Sequence, residues 1–475
     1  MIFASYEFIF LFFPMVIITY FLLSNYNSIK LQHCFLVLAS FVFYAWFNIS
    51  YLWIILFSIF GNYFVSILMI KEGDIQRKFL FIIGILFNVI LLGYFKYYDF
   101  FIENVNYLFK EDYLLKNLIL PLGISFFTFQ QISFLLSSYR GEEKVSNFID
   151  YCLFVTFFPQ LVAGPIVKYS EMIPQFQDPS RRYVNWDNLA KGLFIFVIGL
   201  FKKIVIADTL AVWANNGFDN MGEMGFFTTV ATILTYTLQI YFDFSGYSDM
   251  AIGLAKMFNI DLPINFFSPY KSKSISDFWR RWHITLGKSL FEYIYKPLGG
   301  SRKGGAKTYR NLLLTFLVSG LWHGASWLFI LWGLFHGLGL VVHRLWNKTG
   351  MVINQSISVL ITFLFVSLTW VLFRAETVDN ALRIYKSLIT PSSLGLLEIG
   401  LLYYDGLMNL PTIFCTGIIL FTLVILLIVV FKAPNTIEIA EKFNLNNQTV
   451  YLTAVLFFIS VICLSRVSAF IYFNF

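Results

Sequence analysis

The sequence predicts an all-α, polytopic membrane protein, a single integral membrane domain over residues 1–475, with about ten to twelve membrane-crossing helices plus re-entrant and interfacial amphipathic ones. Three observations carry this expectation. Apolar residues make up 58% of the chain and charged ones only 13%, whereas a soluble protein carries roughly 25% charged residues. Mean hydropathy is +0.71. Apolar runs recur at or near the roughly 20 residues that a spanning helix needs, most clearly at 7–24, 50–70, 79–95, 226–242, 353–373, 411–431 and 449–465.

The first run lacks a basic start and a small-residue cleavage site, so it reads as a retained helix and not as a signal peptide. The net charge of +7 reflects cytoplasmic loops in such a protein, and no nucleic-acid partner is expected. Cys34, Cys152, Cys415 and Cys463 form no CxxC pair and read as small apolar residues on helices. No linker separates soluble domains, and no fixed-period repeat is visible.

Basic residues orient the second half. The stretch "SRKGGAKTYR" (301–310) holds Arg302, Lys303, Lys307 and Arg310 without one acid, so it is expected to be cytoplasmic. The cluster His343, Arg344 and Lys348 belongs on the same side. The chain between Arg310 and His343 is too short for two full spans at ~20 residues each. The apolar halves 311–322 and 327–342 are therefore expected to meet inside the membrane, at "SGLWHGAS". Gly320 and Gly324 permit a break or a close backbone approach, and irregular backbone at that depth survives only inside protein or beside a wet cavity. His323 is accordingly placed deep in the membrane, beside a cavity. Beyond it, 353–373 leaves the cytoplasm, 411–431 returns, and 449–465 leaves again, putting "AFIYFNF" (469–475) on the outer side. Lys202 and Lys203 interrupt an apolar run, and the orientation of the first half stays open.

Five histidines are candidates for proton chemistry. His33 and His343 read as interfacial. His336, in "LWGLFHGLGL", reads as a helix-packing residue beside its two glycines. His323 sits between glycines at the expected break, and an intramembrane ionisable group is costly enough to imply function. His283 lies in "SISDFWRRWHITLGKSLFEYIYKPLGG". On one helix, Trp279, Trp282, His283, Leu286, Leu290 and Tyr293 share a stripe opposite Arg280, Arg281 and Lys288, the pattern of a helix on the cytoplasmic membrane surface. His283 falls at the edge of its buried face, where packing and catalysis are equally open.

In "IYFDFSGYSDMAIGLAK", Asp243, Gly246, Tyr247 and Met250 share a helical face, with Ser245 and Asp249 close by. A lone carboxylate there suits a hydrogen-bonded structural role better than a catalytic one. No HExxH, Cys/His cluster or carboxylate pair offers metal-ligand spacing, so no metal is expected. The loop "PLGGSRKGG", with Arg302 and Lys303, suits the phosphates of a cytosolic donor and equally suits a plain positive-inside loop. The terminal Tyr472, flanked by phenylalanines, suits either an aromatic interfacial anchor or a reactive tip.

Four blocks, "FFPQLVAGPIVKYSEMIPQF" (157–176), "YFDFSGYSDMAIGLAKMF" (241–258), "DFWRRWHITLGKSLFEYIYKPLGG" (277–300) and "SGLWHGASWLFILWGLFHG" (319–337), together with the terminal "FIYFNF", resemble the membrane-bound O-acyltransferases of the alginate O-acetylation type. Relatives in that group acetylate peptidoglycan or pass D-alanine toward teichoic acids. The resemblance spans about 118–346, the expected catalytic core, plus the 469–475 aromatic motif. It implies that His323 is the catalytic histidine and His283 the second characteristic one, on the cytoplasmic side. It further implies that Tyr472 belongs to a motif relaying the acyl unit outward, and that Pro159, Gly164 and Pro165 shape a helix.

On this reading the chain is an inner-membrane acetyltransferase that takes acetyl groups from cytosolic acetyl-CoA, with no permanently bound cofactor. Lipids surround it, and a periplasmic esterase-like O-acetyltransferase would complete transfer to a polysaccharide. The Phe, Ile, Asn and Lys usage leans toward peptidoglycan over alginate as acceptor. A flippase for a lipid-linked substrate would instead show inverted repeats with matching broken helices, and only one break, at 319–326, is visible. A non-catalytic anchor would leave a buried His323 without purpose.

Overall fold

The computed structural model describes residues 1–475 except 27, 72, 220–223, 303, 404–410, 467–469 and 472–475. Every regular element among the described residues is a helix. Among the described residues six helices are long and apolar enough to cross a membrane: Phe8–Tyr26, Ile49–Lys71, Asp74–Phe109, Trp327–Thr349, Gln355–Arg374 and Thr412–Lys432. Ile29–Ala45 and Asn447–Cys463 are shorter apolar helices. The ten to twelve expected from the sequence are not confirmed by this count of the described residues. Among the interior helices, Phe226–Met257 runs 32 residues but buries Thr229, Thr232, Thr235 and Asp243, so it carries polar groups inside the protein.

The chain forms two compact units. The first comprises 1–197, 247–264 and 445–447. Its core holds the rings of Phe3, Phe8, Phe43 and Phe158, each buried and in mutual edge or tilted contact, such as Phe8 on Phe158 at 6.1 Å. Buried polar side chains pair within it. The amides of Asn62 and Asn88 bond each other, and Gln131 bridges Ser58 and Tyr151. His33 is not interfacial as its sequence position suggests; it is 3% exposed. Its Nδ1 lies 2.9 Å from Asp150 Oδ1 and its Nε2 3.1 Å from the Phe176 carbonyl. Both ring nitrogens face acceptors. Burial alone would raise the Asp150 carboxyl, but hydrogen bonds from His33, Gln177 and Ser146 outweigh it and hold the group down at about 2.

The second unit comprises 198–246, 265–444 and 448–475. Its centre is a hairpin of the helices Gly305–His323 and Trp327–Thr349. At 1.5 Å per residue these run ~28 and ~34 Å, so the second is a full-length helix where the sequence suggested a half-span. The helices run past Arg310 and His343 to Gly305 and Thr349. His336 has the packing role expected of it. Trp279 donates its indole N–H to His336 Nδ1 at 3.2 Å, and Nε2 meets Thr369 Oγ1 at 3.0 Å. The proton therefore sits on Nε2 and both nitrogens are used.

The stretch around His283 is not one amphipathic helix. It breaks into Ile275–Trp279 and Ile284–Leu290, with His283 between them at φ 43° and ψ 53°. That left-handed conformation is uncommon outside glycine. It turns the chain so that Ile284 donates its N–H to the Asn265 carbonyl at 3.0 Å. The apolar stripe still goes inward: Trp279, Trp282, Leu286 and Leu290 are all buried.

Candidate active site

His323 closes the helix Gly305–His323. Gly324 then runs extended, and the Ser326 hydroxyl caps the next helix by accepting the Leu328 N–H at 3.1 Å. The two helices touch backbone to backbone here. A Cβ on Gly320 would meet the Phe329 carbonyl, and one on Gly333 the Phe316 carbonyl. Neither obstacle is a flexible side chain, so only glycine fits. The glycine pattern thus does what the sequence suggested: it lets the hairpin close with His323 at its turn.

The His323 ring is 2% exposed and does not face lipid. Trp322, Trp332 and Phe373 surround it at centroid distances of 4.9, 4.9 and 5.2 Å. The ring of Trp322 also lies 5.9 Å from that of His283. One indole therefore contacts both histidines. His283 is fully buried, further in than the edge of the buried face at which its stripe placed it. Its Nδ1 lies 3.1 Å from Asn265 Oδ1, an atom that also accepts the Thr285 N–H at 3.3 Å and hydroxyl at 2.9 Å. Because the backbone N–H can only donate, this atom of Asn265 is the acceptor, so His283 Nδ1 carries the proton and Nε2 the lone pair. Burial pushes the ring down to about 3, which keeps it neutral. A neutral imidazole of fixed tautomer is a proton acceptor.

Phe244 also stands against His283, at 4.8 Å, and on Phe244 lies Phe470, at 5.7 Å. The terminal segment is thus joined to the histidine cluster through one phenyl ring. Tyr472 and Lys303 lie outside the described residues. Arg302 is exposed in the turn preceding the hairpin, at the end of a ~28 Å helix opposite His323. It is not brought to the histidines. A groove of about 720 Å3 lies elsewhere, between the helices Trp327–Thr349 and Gln355–Arg374, with Lys273, Phe335, Val342, His343 and Phe365 on its walls.

Sequence reasoning missed Asn265, Trp322, Lys203 and Asp208. Asp243 is ion-paired with Lys203 at 2.7 Å, and Lys203 with Asp208 at 2.7 Å. A lysine interrupting an apolar run was the visible signal, since such a charge must find a buried counter-ion.

Residues 112–351 match the membrane-bound O-acyltransferase family. The chain is 46% identical over 420 residues to the peptidoglycan O-acetyltransferase of Helicobacter pylori, covering 82% of this chain and 80% of that protein. It is 38% identical over 416 residues to a protein of Pseudomonas aeruginosa named probable alginate O-acetylase, covering 86% and 78%. Similarity extends, at 26% over 276 residues, to the teichoic acid D-alanyltransferase of Bacillus subtilis, covering 55% and 70%.

Proposed function

The chain belongs to the membrane-bound O-acyltransferase family and is a multi-pass membrane acyltransferase, and from that premise we propose that it passes acetyl groups from cytosolic acetyl-CoA across the inner membrane. The acceptor proposed is peptidoglycan, the substrate named for a relative at 46% identity, ahead of the alginate named for relatives at 38%. A periplasmic esterase-like acetyltransferase would place the group on the final sugar hydroxyl.

The carrying observation is an unbroken chain of ring contacts that runs from His323 through Trp322, His283 and Phe244 to Phe470. In the proposed reaction the Tyr472 oxygen attacks the thioester carbonyl carbon. An O–C bond forms, the C–S bond breaks, and the phenolic proton passes by way of His323 to the departing CoA sulfur. A phenol has an ordinary pKa of ≈ 10 and needs such an adjacent base. His283, neutral and one indole away, supplies a second proton-accepting nitrogen. An acceptor hydroxyl arriving from outside then takes the acetyl group and returns the proton to Tyr472. Only the acetyl group crosses, so the charged CoA phosphates never enter hydrocarbon.

His323→Ala tests the reading. It should abolish acetyl transfer in membranes given labelled acetyl-CoA, and remove O-acetyl groups from the muropeptides of the host, with the protein still monodisperse in detergent. Near-wild-type wall acetylation would defeat the enzyme assignment to this site. Tyr472→Phe tests the relay separately, because activity surviving that change favours direct attack by the final acceptor.

A further inference from the structure

The relay needs its terminal segment held in register, and a buried charge cluster supplies a holding point. The Ile471 N–H donates to Asp243 Oδ2 at 2.9 Å. The other carboxylate oxygen of Asp243 lies 2.7 Å from Lys203 Nζ, which also reaches Asp208 Oδ1 at 2.7 Å. The three side chains are each no more than 4% exposed. Two carboxylates share one ammonium, and the Ile471 N–H adds a donor to one of them; a hydrogen bond to a carboxylate is stronger than one between neutral groups. The next residue, Phe244, takes the Phe470 ring. Consecutive residues of one helix therefore grip consecutive residues of the terminal segment, immediately before Tyr472.

We propose that Asp243, oriented by Lys203 and Asp208, is a positioning residue that tethers the terminal segment and sets the reach of Tyr472 toward His323. This rests on the relay reading for its purpose, though the tether itself does not. The sequence alone suggested a structural carboxylate; its bond to Ile471 gives that carboxylate a place in the reaction. Misplacing a reacting group by about 1 Å can cost ~100-fold in rate, so loosening this contact should act on turnover and leave acetyl-CoA affinity alone.

Three variants of the full chain in detergent or proteoliposomes test it. Asp243→Asn weakens the acceptor, and Ile471→Pro removes the donor while leaving the buried cluster untouched, which guards against a variant that merely fails to fold. Hydrogen–deuterium exchange of the peptide covering 470–475 should be at least about tenfold faster in Asp243→Asn than in wild type, as expected on losing a charge-assisted hydrogen bond. Ile471→Ala, which keeps the N–H, should exchange like wild type. In acetyl transfer, Asp243→Asn and Ile471→Pro should each lower kcat about tenfold or more with KM for acetyl-CoA unchanged, and the double variant should lose little beyond the single ones. Unchanged exchange in Asp243→Asn overturns the tether. Faster exchange with unchanged kcat overturns the positioning role. Tyr472→Phe is read in the same assay, so failure of the relay shows there and leaves the exchange result standing.

Discussion

His283 and Asn265 meet at 3.1 Å, and that contact decides which nitrogen of the imidazole is basic. With the proton held on Nδ1, Nε2 is the accepting atom. Replacing Asn265 by Asp sets an anion against the Nδ1 proton and favours the imidazolium. With the wild-type ring held at about 3, no acid limb from His283 falls between pH 5 and 8, and Asn265→Asp should bring one up toward that window, because activity is lost as pH falls through the raised value. Asn265→Ala should instead slow transfer about tenfold, a typical general-base contribution being 100-fold or more, with no such limb. Initial rates of acetyl transfer between pH 5 and 8 check both outcomes.

The same histidine makes stability depend on pH. Burial lowers its folded value to about 3 from an ordinary 6.5, so below pH 6.5 the unfolded chain binds a proton that the folded one refuses. Stability supplied by the neutral ring is complete above pH 6.5 and falls as pH falls toward 3. Thermal melting of the purified protein at pH 7.5 and 5.5 should show the drop. His283→Asn tolerates the left-handed backbone and should show a smaller one.

What the sequence made legible follows from which forces are local. The apolar runs at 7–24, 50–70, 353–373 and 411–431 became the helices Phe8–Tyr26, Ile49–Lys71, Gln355–Arg374 and Thr412–Lys432, because hydrocarbon thickness imposes a length that a linear reading detects. The turn at Gly324 was legible for a similar reason, since glycine marks backbone approach. The break at His283 was not. Periodicity continued through it, and what turns the chain is a carbonyl on Asn265, 18 residues away. His33 was misplaced because its partner, Asp150, lies 117 residues along. An ion pair over that separation leaves no trace in a window of residues around either end.

Gly320 and Gly333 should be intolerant of even one methyl group. Each would drive a Cβ into a carbonyl of the facing helix, and the two Cα atoms face each other across the crossing. Overpacking of this kind typically costs ~1–3 kcal/mol, and here the helices must separate to relieve it. Gly320→Ala and Gly333→Ala should lower the melting temperature and, by shifting His323 at the turn, reduce acetyl transfer by more than the folded fraction explains. Gly417→Ala, at a site with nothing nearby, is the matched control and should melt like wild type. Activity per folded molecule, from size-exclusion chromatography and labelled acetyl-CoA, separates the two effects.

His33 and Asp150 should behave as a structural pair with no part in transfer. Removing one partner of a buried ion pair typically costs ~3–5 kcal/mol, since the other charge is left without compensation. Asp150→Asn replaces the carboxylate that faces His33 Nδ1, while Nε2 already serves the Phe176 carbonyl, so it should sharply lower the yield of folded protein. His33→Gln keeps a donor for one acceptor only and should cost less. Because the carboxyl is held down at about 2, its contribution is complete above its ordinary value near 4 and is lost as pH falls toward 2. Molecules of either variant that do fold should transfer acetyl groups at the wild-type rate. A fall in their specific activity, measured on the monodisperse fraction, would give the pair a role beyond holding its unit together.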